Sequence, residues 1–254
     1  MNRKTWAVVL GCLFLVGCQA PDVAREDTRA LAKPSYRAKI VGRSVENRPI
    51  MTRVYGDGPD VVLLLAGIHG NEAAGVPILE RLGKELMDNP QYLQGRTVVL
   101  LPQVNPDGVK ANTRGNANGV DLNRNFPADN FDGTDRHGAE PLSQPESRAM
   151  LEQIDRYQPN RIVAFHQPLE CVDYDGEGAR ELAEAMGEHT DLPVKRVGAR
   201  PGSMGSYFGI DRGIPIITFE LPRAAKDMGD TELWDRYGRA TLAAVVYPQP
   251  LEAK

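Results

Sequence analysis

Cysteine and long apolar segments are scarce in this sequence, and basic residues do not outnumber acidic ones. Three cysteines occur among 254 residues, and Cys12 and Cys18 both lie near the N-terminus. Cys171 therefore has no partner in the rest of the chain, which excludes a scaffold stabilised by disulfide bonds. The net charge is −4 and no basic stripe is present, so a nucleic-acid partner is not expected. No internal repeat divides the chain.

The one long apolar run lies at the N-terminus. A short basic segment precedes residues 6–16, which are apolar but too few to span a bilayer comfortably. The Leu-Val-Gly-Cys pattern that ends at Cys18 resembles a bacterial lipobox, which implies a lipoprotein signal over residues 1–17 and acylation of Cys18. Gln19 favours the periplasmic face of the outer membrane, with the inner membrane as the alternative. A plain export signal or an uncleaved anchor is the competing interpretation.

The remaining chain is predicted to form a tether followed by one domain. Residues 18–35 are polar and unpatterned, which is typical of a tether. Continuous apolar runs at 61–65 and 97–101 indicate strands that are buried on both faces, and the apolar spacing in 73–87 indicates a helix. Strands and helices alternate over residues 36–250. This pattern predicts an α/β domain with a mixed, mostly parallel central sheet and helices on both faces.

The other predicted elements follow the same patterns. Residues 103–144 are rich in Gly, Asn, Asp and Pro and predict a long loop of functional importance. The further strands are predicted at 36–41, 49–55, 161–165 and 214–219, and the further helices at 145–157, 178–189 and 231–246.

Three residues that carry functional chemistry follow predicted buried strands. His69, His166 and Glu220 each come directly or shortly after such a strand, and active sites of open α/β sheets gather at the carboxyl ends of strands. His69 and Glu72 can bind one cation together, and His166 can supply a third ligand. Two histidines, a glutamate and water form a catalytic zinc arrangement. The spacing alone also allows Glu72 to cap a helix and His69 to be a hydrogen-bonded side chain.

Several segments taken together resemble the zinc carboxypeptidase family of α/β hydrolases, over about residues 36–248. Their order and spacing both fit the family. The matching pieces are His-Gly-Asn-Glu at 69–72, Asn-Pro-Asp-Gly at 105–108, Arg114, Gly-Val-Asp-Leu-Asn-Arg-Asn-Phe at 119–126, His166 and Thr-Phe-Glu at 218–220. Within the family, residues 114–127, 165–172 and 201–206 are most similar to murein peptide amidases.

The resemblance implies a site for one zinc ion. His69, Glu72 and His166 would bind the metal, and Asp121 would orient the first histidine. The alternative for Asp121 is a residue that forms a turn. The resemblance thus turns the weak pair of ligands at 69 and 72 into a complete catalytic set.

The resemblance also implies roles for residues that contact substrate. Arg114 would polarise the scissile carbonyl and stabilise the oxyanion. Asn123 and Arg124 would bind the terminal carboxylate of the substrate. Glu220 would be the general base for the attacking water and then the proton donor to the leaving amine. As alternatives, the arginines would solvate a surface and Glu220 would form an ion pair at the end of a strand.

The substrate implied by the resemblance is a murein peptide. Murein peptide amidases hydrolyse the γ-D-glutamyl–meso-diaminopimelate bond, which would give this chain a role in cell-wall turnover, with membrane attachment through the lipid on Cys18. Residues 195–201 lack the mobile tyrosine of digestive carboxypeptidases, which disfavours ordinary peptide specificity. Diaminopimelate carries an additional ammonium and carboxylate. Glu170, Asp173 and Arg200 are candidates to bind them, and the alternative is that they are solvated loop charges.

Two other functions are compatible with parts of the sequence. An N-acyl amino acid deacylase of the aspartoacylase or succinylglutamate desuccinylase type shares the segment 69–72, but the turn at 105–108 and the predicted export argue against it. A non-catalytic lipoprotein that binds murein peptide is the second alternative. It predicts loss of the catalytic residues, all of which are present here.

Overall fold

A computed structural model describes residues 34–252 of the chain. The predicted signal, residues 1–17, and nearly all of the predicted tether, residues 18–35, lie outside the described residues, so this division of the chain stays a prediction. No helix within residues 34–252 combines the length and the apolar character that crossing a membrane requires.

The described residues form a sheet of seven strands with five α-helices. The strands are β1 (Tyr36–Arg43), β2 (Pro49–Gly56), β3 (Asp60–Leu65), β4 (Arg96–Leu101), β5 (Arg161–His166), β6 (Leu169–Asp175) and β7 (Ile216–Pro222). The helices are α1 (Gly75–Asp88), α2 (Pro106–Ala111), α3 (Pro145–Tyr157), α4 (Ala179–Gly187) and α5 (Asp230–Val246).

The sheet is mixed, with parallel strands in its centre. Its strand order is β1-β2-β4-β3-β5-β7-β6. The four strands β4, β3, β5 and β7 run parallel, while β1, β2 and β6 pair with their neighbours in antiparallel fashion. The predicted mixed α/β fold is confirmed, and its parallel pairing is confined to these central strands.

Helices cover both faces of the sheet, as the continuous apolar runs require. Val62 and Leu64 of β3 pack into one core with α1, α4 and α5. Leu63 and Leu65, which alternate with them, pack on the other face with Met150 of α3. Since side chains of a strand alternate between faces, a strand that is apolar at every position must be covered on both sides.

The structure differs from the sequence prediction in two places. The loop predicted at 103–144 contains the short helix α2, which begins with a proline and is capped by the Asn105 side chain on the backbone N–H of Gly108. Strand β6 was not predicted, and its pairing with β7 extends that strand to Pro222. Glu220 consequently lies inside β7, and the prediction that it follows the end of a strand is wrong.

Candidate active site

The turn between β3 and α1 carries His69 and Glu72, both of which are buried. This turn packs directly against α2. A β-carbon at Gly70 would lie 1.9 Å from the carbonyl carbon of Gly108, so glycine is required for this close approach. The contact fixes the turn that presents the two side chains.

His166 and Glu220 come from neighbouring parallel strands. His166 is the last residue of β5, and it is the register partner of Glu220 in β7. On its other side Glu220 pairs with Cys171 of β6. The Glu220 carboxylate accepts a hydrogen bond from the backbone N–H of Leu169 at 3.1 Å. The sheet therefore holds the glutamate from both sides.

Three potential ligand atoms converge at this place. His69 Nδ1 lies 2.9 Å from Glu72 Oε2, and His166 Nδ1 lies 3.0 Å from the same oxygen. The two Nδ1 atoms are 3.1 Å apart. Among the described residues these three form the group with the spacing of metal ligands.

The donor set fits a zinc ion. His69 Nε2 lies 2.8 Å from Asp121 Oδ1 and its Nδ1 lies 2.9 Å from Glu72 Oε2, whereas a neutral imidazole has only one N–H to donate. A ring that donates from Nε2 to Asp121 therefore leaves two lone pairs facing each other at Glu72, and these repel each other unless a proton or a metal ion lies between them. Two imidazole nitrogens and one carboxylate oxygen are the protein ligands of catalytic zinc sites.

The electrostatic surroundings of these groups favour positive charge at the same place. Burial alone would lower the pKa of His69, but the hydrogen bonds to Asp121 and Glu72 outweigh it and raise that pKa. Burial alone would raise the pKa of Glu72, yet the hydrogen bonds with His166 and His69 hold it far below its usual range. The carboxylates therefore remain ionised around the two rings.

Arg114 and Asp121 form ion pairs beside this group. Arg114 Nη1 donates to Glu72 Oε1 and its Nε donates to Asp121 Oδ2, both at 2.9 Å. The second oxygen of Asp121 faces His69 and also accepts from the backbone N–H of Asn123 at 2.9 Å. Asp121 thus fixes the ring of His69, while the half-exposed guanidinium of Arg114 keeps three of its five N–H donors for other partners.

Asn123 and Arg124 lie at the wall of the same cavity. The side chain of Asn123 accepts from the backbone N–H of Met204 at 2.9 Å, which directs its amide nitrogen towards His166. Arg124 is half-buried, and burial lowers the pKa of its guanidinium. Arg124 donates a hydrogen bond to the backbone oxygen of Asn123, and it forms no ion pair within residues 34–252. A partly buried guanidinium without an ion-pair partner favours the binding of an anion such as a carboxylate.

One cavity, which we call the central cavity, brings the predicted residues together. Its lining includes His69, Glu72, Arg114, Asn123, Arg124, His166 and Glu220. Burial raises the pKa of the Glu220 carboxyl, which is the direction that a general base near neutral pH needs.

The charged candidates for side-chain recognition divide between two cavities. Asp173 and Arg200 line the central cavity, whereas Glu170 lines a separate one. Asp175 also lines the central cavity, and the sequence prediction missed it. Its alternation with Asp173 could have identified it, had β6 been predicted as a strand.

Comparison with known proteins identifies one family and relatives that agree with it. Residues 26–189 match the family described as zinc carboxypeptidase. Murein peptide amidase A of Escherichia coli (strain K12) is 38% identical over 183 residues, which cover 65% of this chain and 72% of that relative. Murein peptide amidase A of Vibrio campbellii is 34% identical over 212 residues, which cover 76% of this chain and 81% of that relative. The family match ends before Glu220, so the position of that residue rests on the fold.

A solved structure shows the same fold over most of the chain. The crystal structure of the murein-tripeptide amidase from Escherichia coli O157 aligns with a TM-score of 0.64 and 30% identity, covering 85% of this chain and 93% of that one. Sequence match, fold and the histidine–glutamate–histidine group agree with one another. The chain belongs to the zinc carboxypeptidase family, whose members depend on zinc, and it is a hydrolase.

Proposed function

We propose that this protein is a murein peptide amidase that hydrolyses the γ-D-glutamyl–meso-diaminopimelate bond with one bound zinc ion. The observation that carries the proposal is the position of Arg124, a half-buried guanidinium that forms no ion pair within residues 34–252 and lines the same cavity as the metal-binding group. It suits a substrate whose free carboxylate lies close to the bond that is cut. The murein peptide amidases among the relatives support this choice of substrate.

Each residue of the central cavity has a role in this proposal. His69, Glu72 and His166 would bind the zinc ion, which as a Lewis acid would polarise the scissile carbonyl and activate water at neutral pH. Arg124 binds the carboxylate of the terminal diaminopimelate as a planar fork, with Asn123 beside it.

Glu220 carries the proton in both halves of the reaction. Its carboxylate is held by the N–H of Leu169 and by the strand pairing on both sides, and it takes a proton from the attacking water. It then donates that proton to the leaving amine of diaminopimelate. Arg114 donates hydrogen bonds to the oxyanion that develops at the scissile carbonyl, because it retains donors beyond its two ion pairs.

The substitution Glu220→Gln tests this function. We expect turnover of L-Ala-γ-D-Glu-meso-diaminopimelate to fall by about 10²–10⁴-fold, the usual contribution of general acid–base catalysis, while the zinc content stays the same. Release of diaminopimelate would be followed by mass spectrometry, and zinc would be measured by atomic absorption. Glu170→Gln is the matched control, since Glu170 lies outside the central cavity. Zinc-loaded wild-type protein that releases no diaminopimelate would refute the proposed bond.

We further propose that the protein is a lipoprotein on the periplasmic face of the outer membrane, attached through Cys18. The lipobox pattern that ends at Cys18 and the Gln19 that follows it support this location. Such a position would bring the hydrolase next to cell-wall peptides.

A further inference from the structure

Another cavity adjoins the central cavity at the metal-binding group. The residues that line both cavities are Glu72, Arg114, Gln167 and Pro168. The other lining residues of the adjoining cavity are Asn71, Asn112, Arg223 and Lys226. We call it the basic cavity, because three of its lining side chains are cations. A substrate in the central cavity can extend into the basic cavity past Glu72 and Arg114.

Two cations of the basic cavity are left without partners. Arg223 and Lys226 are exposed, and neither forms an ion pair or a side-chain hydrogen bond within residues 34–252. Glu72 is the one carboxylate that lines this cavity. Its Oε1 accepts from Arg114 at 2.9 Å, and its Oε2 accepts from the backbone N–H of Gln167 at 3.1 Å and faces both histidines. The charge of Glu72 is therefore engaged elsewhere, and the basic cavity keeps a positive charge that its lining does not compensate.

The backbone presents these two cations on one side. Arg223–Asp227 form a 3₁₀ helix that directly follows β7. Because such a helix has three residues per turn, the side chains of Arg223 and Lys226 lie above one another. Ala225 between them is fully buried and packs into the apolar core. The core thus anchors the helix while its basic side faces the cavity.

The same helix is tied to the metal-binding group through Gln167. Its backbone N–H donates to Glu72, as described above, and its side-chain Nε2 donates to the backbone oxygen of Pro222 at 2.9 Å. Pro222 immediately precedes Arg223. Gln167 is itself buried. Hydrogen bonds therefore hold the start of the basic helix at a set distance from the residues that would bind zinc.

The proposed substrate carries an anion at the corresponding place. In a γ-linked glutamyl residue the scissile carbonyl belongs to the side chain, so the α-carboxylate stays free three carbons away. An ordinary α-linked residue uses its backbone carboxyl in the scissile bond and leaves no such carboxylate. With the leaving residue bound at Arg124 and the scissile carbonyl beside Arg114, the acyl residue lies on the side of the basic cavity.

We propose that Arg223 and Lys226 bind the free α-carboxylate of the γ-linked glutamyl residue, on the acyl side of the scissile bond. This inference rests on the proposed function, which supplies that residue. The guanidinium of Arg223 offers parallel N–H donors that match a carboxylate, and the ammonium of Lys226 adds a charge on the same side. The basic cavity thereby selects γ-linked peptides, a preference that Arg124 cannot provide because it contacts only the leaving residue.

The experiment compares two tripeptides that release the same leaving residue. One is L-Ala-γ-D-Glu-meso-diaminopimelate, and the other carries a carboxamide in place of the glutamyl α-carboxylate, which keeps the shape and removes the charge. We expect kcat/KM of the zinc-loaded wild-type enzyme to be about tenfold higher for the carboxylate peptide, the order of a partly exposed charge-assisted hydrogen bond. Arg223→Gln combined with Lys226→Gln should bring this ratio close to one by slowing the carboxylate peptide.

Lys84→Gln combined with Arg236→Gln is the matched control. It removes the same charge from exposed positions that line neither of the two cavities. It should leave the ratio unchanged, which separates contact in the basic cavity from attraction by the net charge of the protein. A second measurement needs no variant: the ratio for the wild-type enzyme should fall as ionic strength rises, because salt screens the interactions of exposed charges.

The outcomes separate the two proposals. Equal kcat/KM for both peptides in the wild-type enzyme, or a ratio that survives the combined substitution of Arg223 and Lys226, would refute the carboxylate site while the amidase function stands. Release of diaminopimelate from neither peptide would refute the proposed function itself. Should the combined variant fail to fold, a wild-type ratio that does not change with ionic strength would still refute the site.

Discussion

Asp121 acts on the metal site through His69 and not by direct contact. Its carboxylate faces Nε2 of His69, the ring nitrogen that does not point at Glu72, and it is itself held by Arg114 and the N–H of Asn123. We expect Asp121→Asn to weaken zinc binding by about 10–100-fold, the usual effect of losing such an orienting partner. Competition with a chelator of known affinity measures the change.

The chain offers a matched control for this prediction. Asp132 also contacts a histidine ring, His137 Nδ1, at 2.8 Å, but neither residue of that pair belongs to the ligand group. Asp132→Asn should leave zinc affinity unchanged. Equal affinities of Asp121→Asn and wild type would show that the orientation of His69 is set by the backbone alone.

Ionisation of Asp175 should lower the stability of the folded protein at neutral pH. Its pKa is about 6 in the folded state against 3.8 for an ordinary aspartate, so the folded protein binds this proton more tightly than the unfolded chain. The free energy of unfolding therefore falls as pH rises through this interval. Asp175→Asn lacks the ionisation, and we expect its Tm relative to wild type to be higher at about pH 8 than at about pH 4.

Thermal unfolding followed by circular dichroism at the two pH values checks this. Asp191→Asn, which removes an exposed acid, should shift Tm equally at both pH values. A difference in Tm between Asp175→Asn and wild type that is the same at both pH values would contradict a raised pKa of Asp175 in the folded protein.

At the scale of elements, the C-terminus of α5 is anchored by arginines from two strands. Arg161 of β5 donates to the backbone oxygens of Ala244 and Val245, each at 2.7 Å, and binds both oxygens of Asp60. Arg96 of β4 donates to the oxygen of Val246 at 2.9 Å. These contacts satisfy the carbonyls that a helix end leaves without partners.

Removing this anchor should destabilise the whole domain. We expect Arg161→Leu to reduce the free energy of unfolding by about 2–3 kcal/mol, the order of a hydrogen bond to a charged group whose partners stay buried. Urea unfolding measures it. Arg180→Leu is the control, because the exposed pair of Arg180 with Glu184 is worth about 0.3–0.5 kcal/mol. Similar losses for the two variants would contradict a structural role for the anchor.

The elements also show where sequence patterns suffice and where they fail. Strands such as β3 and β5 were predictable because an unbroken apolar run, residues 61–65 and 162–165, forms most of each strand. Helix α3 was predictable because a proline marks its start. Strand β6 (LECVDYD) has charged residues on a face that is buried, so its pattern resembles a loop. Those aspartates are tolerated there because the face borders the central cavity and not the apolar core.

The same limit applies to the site. His69, Glu72, His166 and Glu220 were predictable because their chemistry is recognisable next to buried strands. The geometry that brings them together was not predictable, because the position of Glu220 inside β7 depends on the pairing of β7 with β6. The role of Arg124 likewise depends on its partial burial in the wall of the cavity without an ion pair among the described residues, which no local pattern contains.

At the scale of the whole molecule, the attachment of the chain is open to a direct test. We expect Cys18→Ala to abolish incorporation of labelled palmitate and to move the protein from the outer-membrane fraction to the soluble periplasm. Cys171→Ala is the matched control, because this buried cysteine should have no part in acylation. Labelling that persists in Cys18→Ala would contradict the lipoprotein prediction.

The position of Arg124 in the central cavity also bears on how the proposed reaction ends. In the proposed function, Arg124 binds a group that cleavage leaves intact, because free diaminopimelate keeps the carboxylate that the intact peptide offered. The released amino acid should therefore leave slowly and compete with new substrate. Turnover would then slow as diaminopimelate accumulates, which gives the enzyme feedback from its own product without a separate regulatory site.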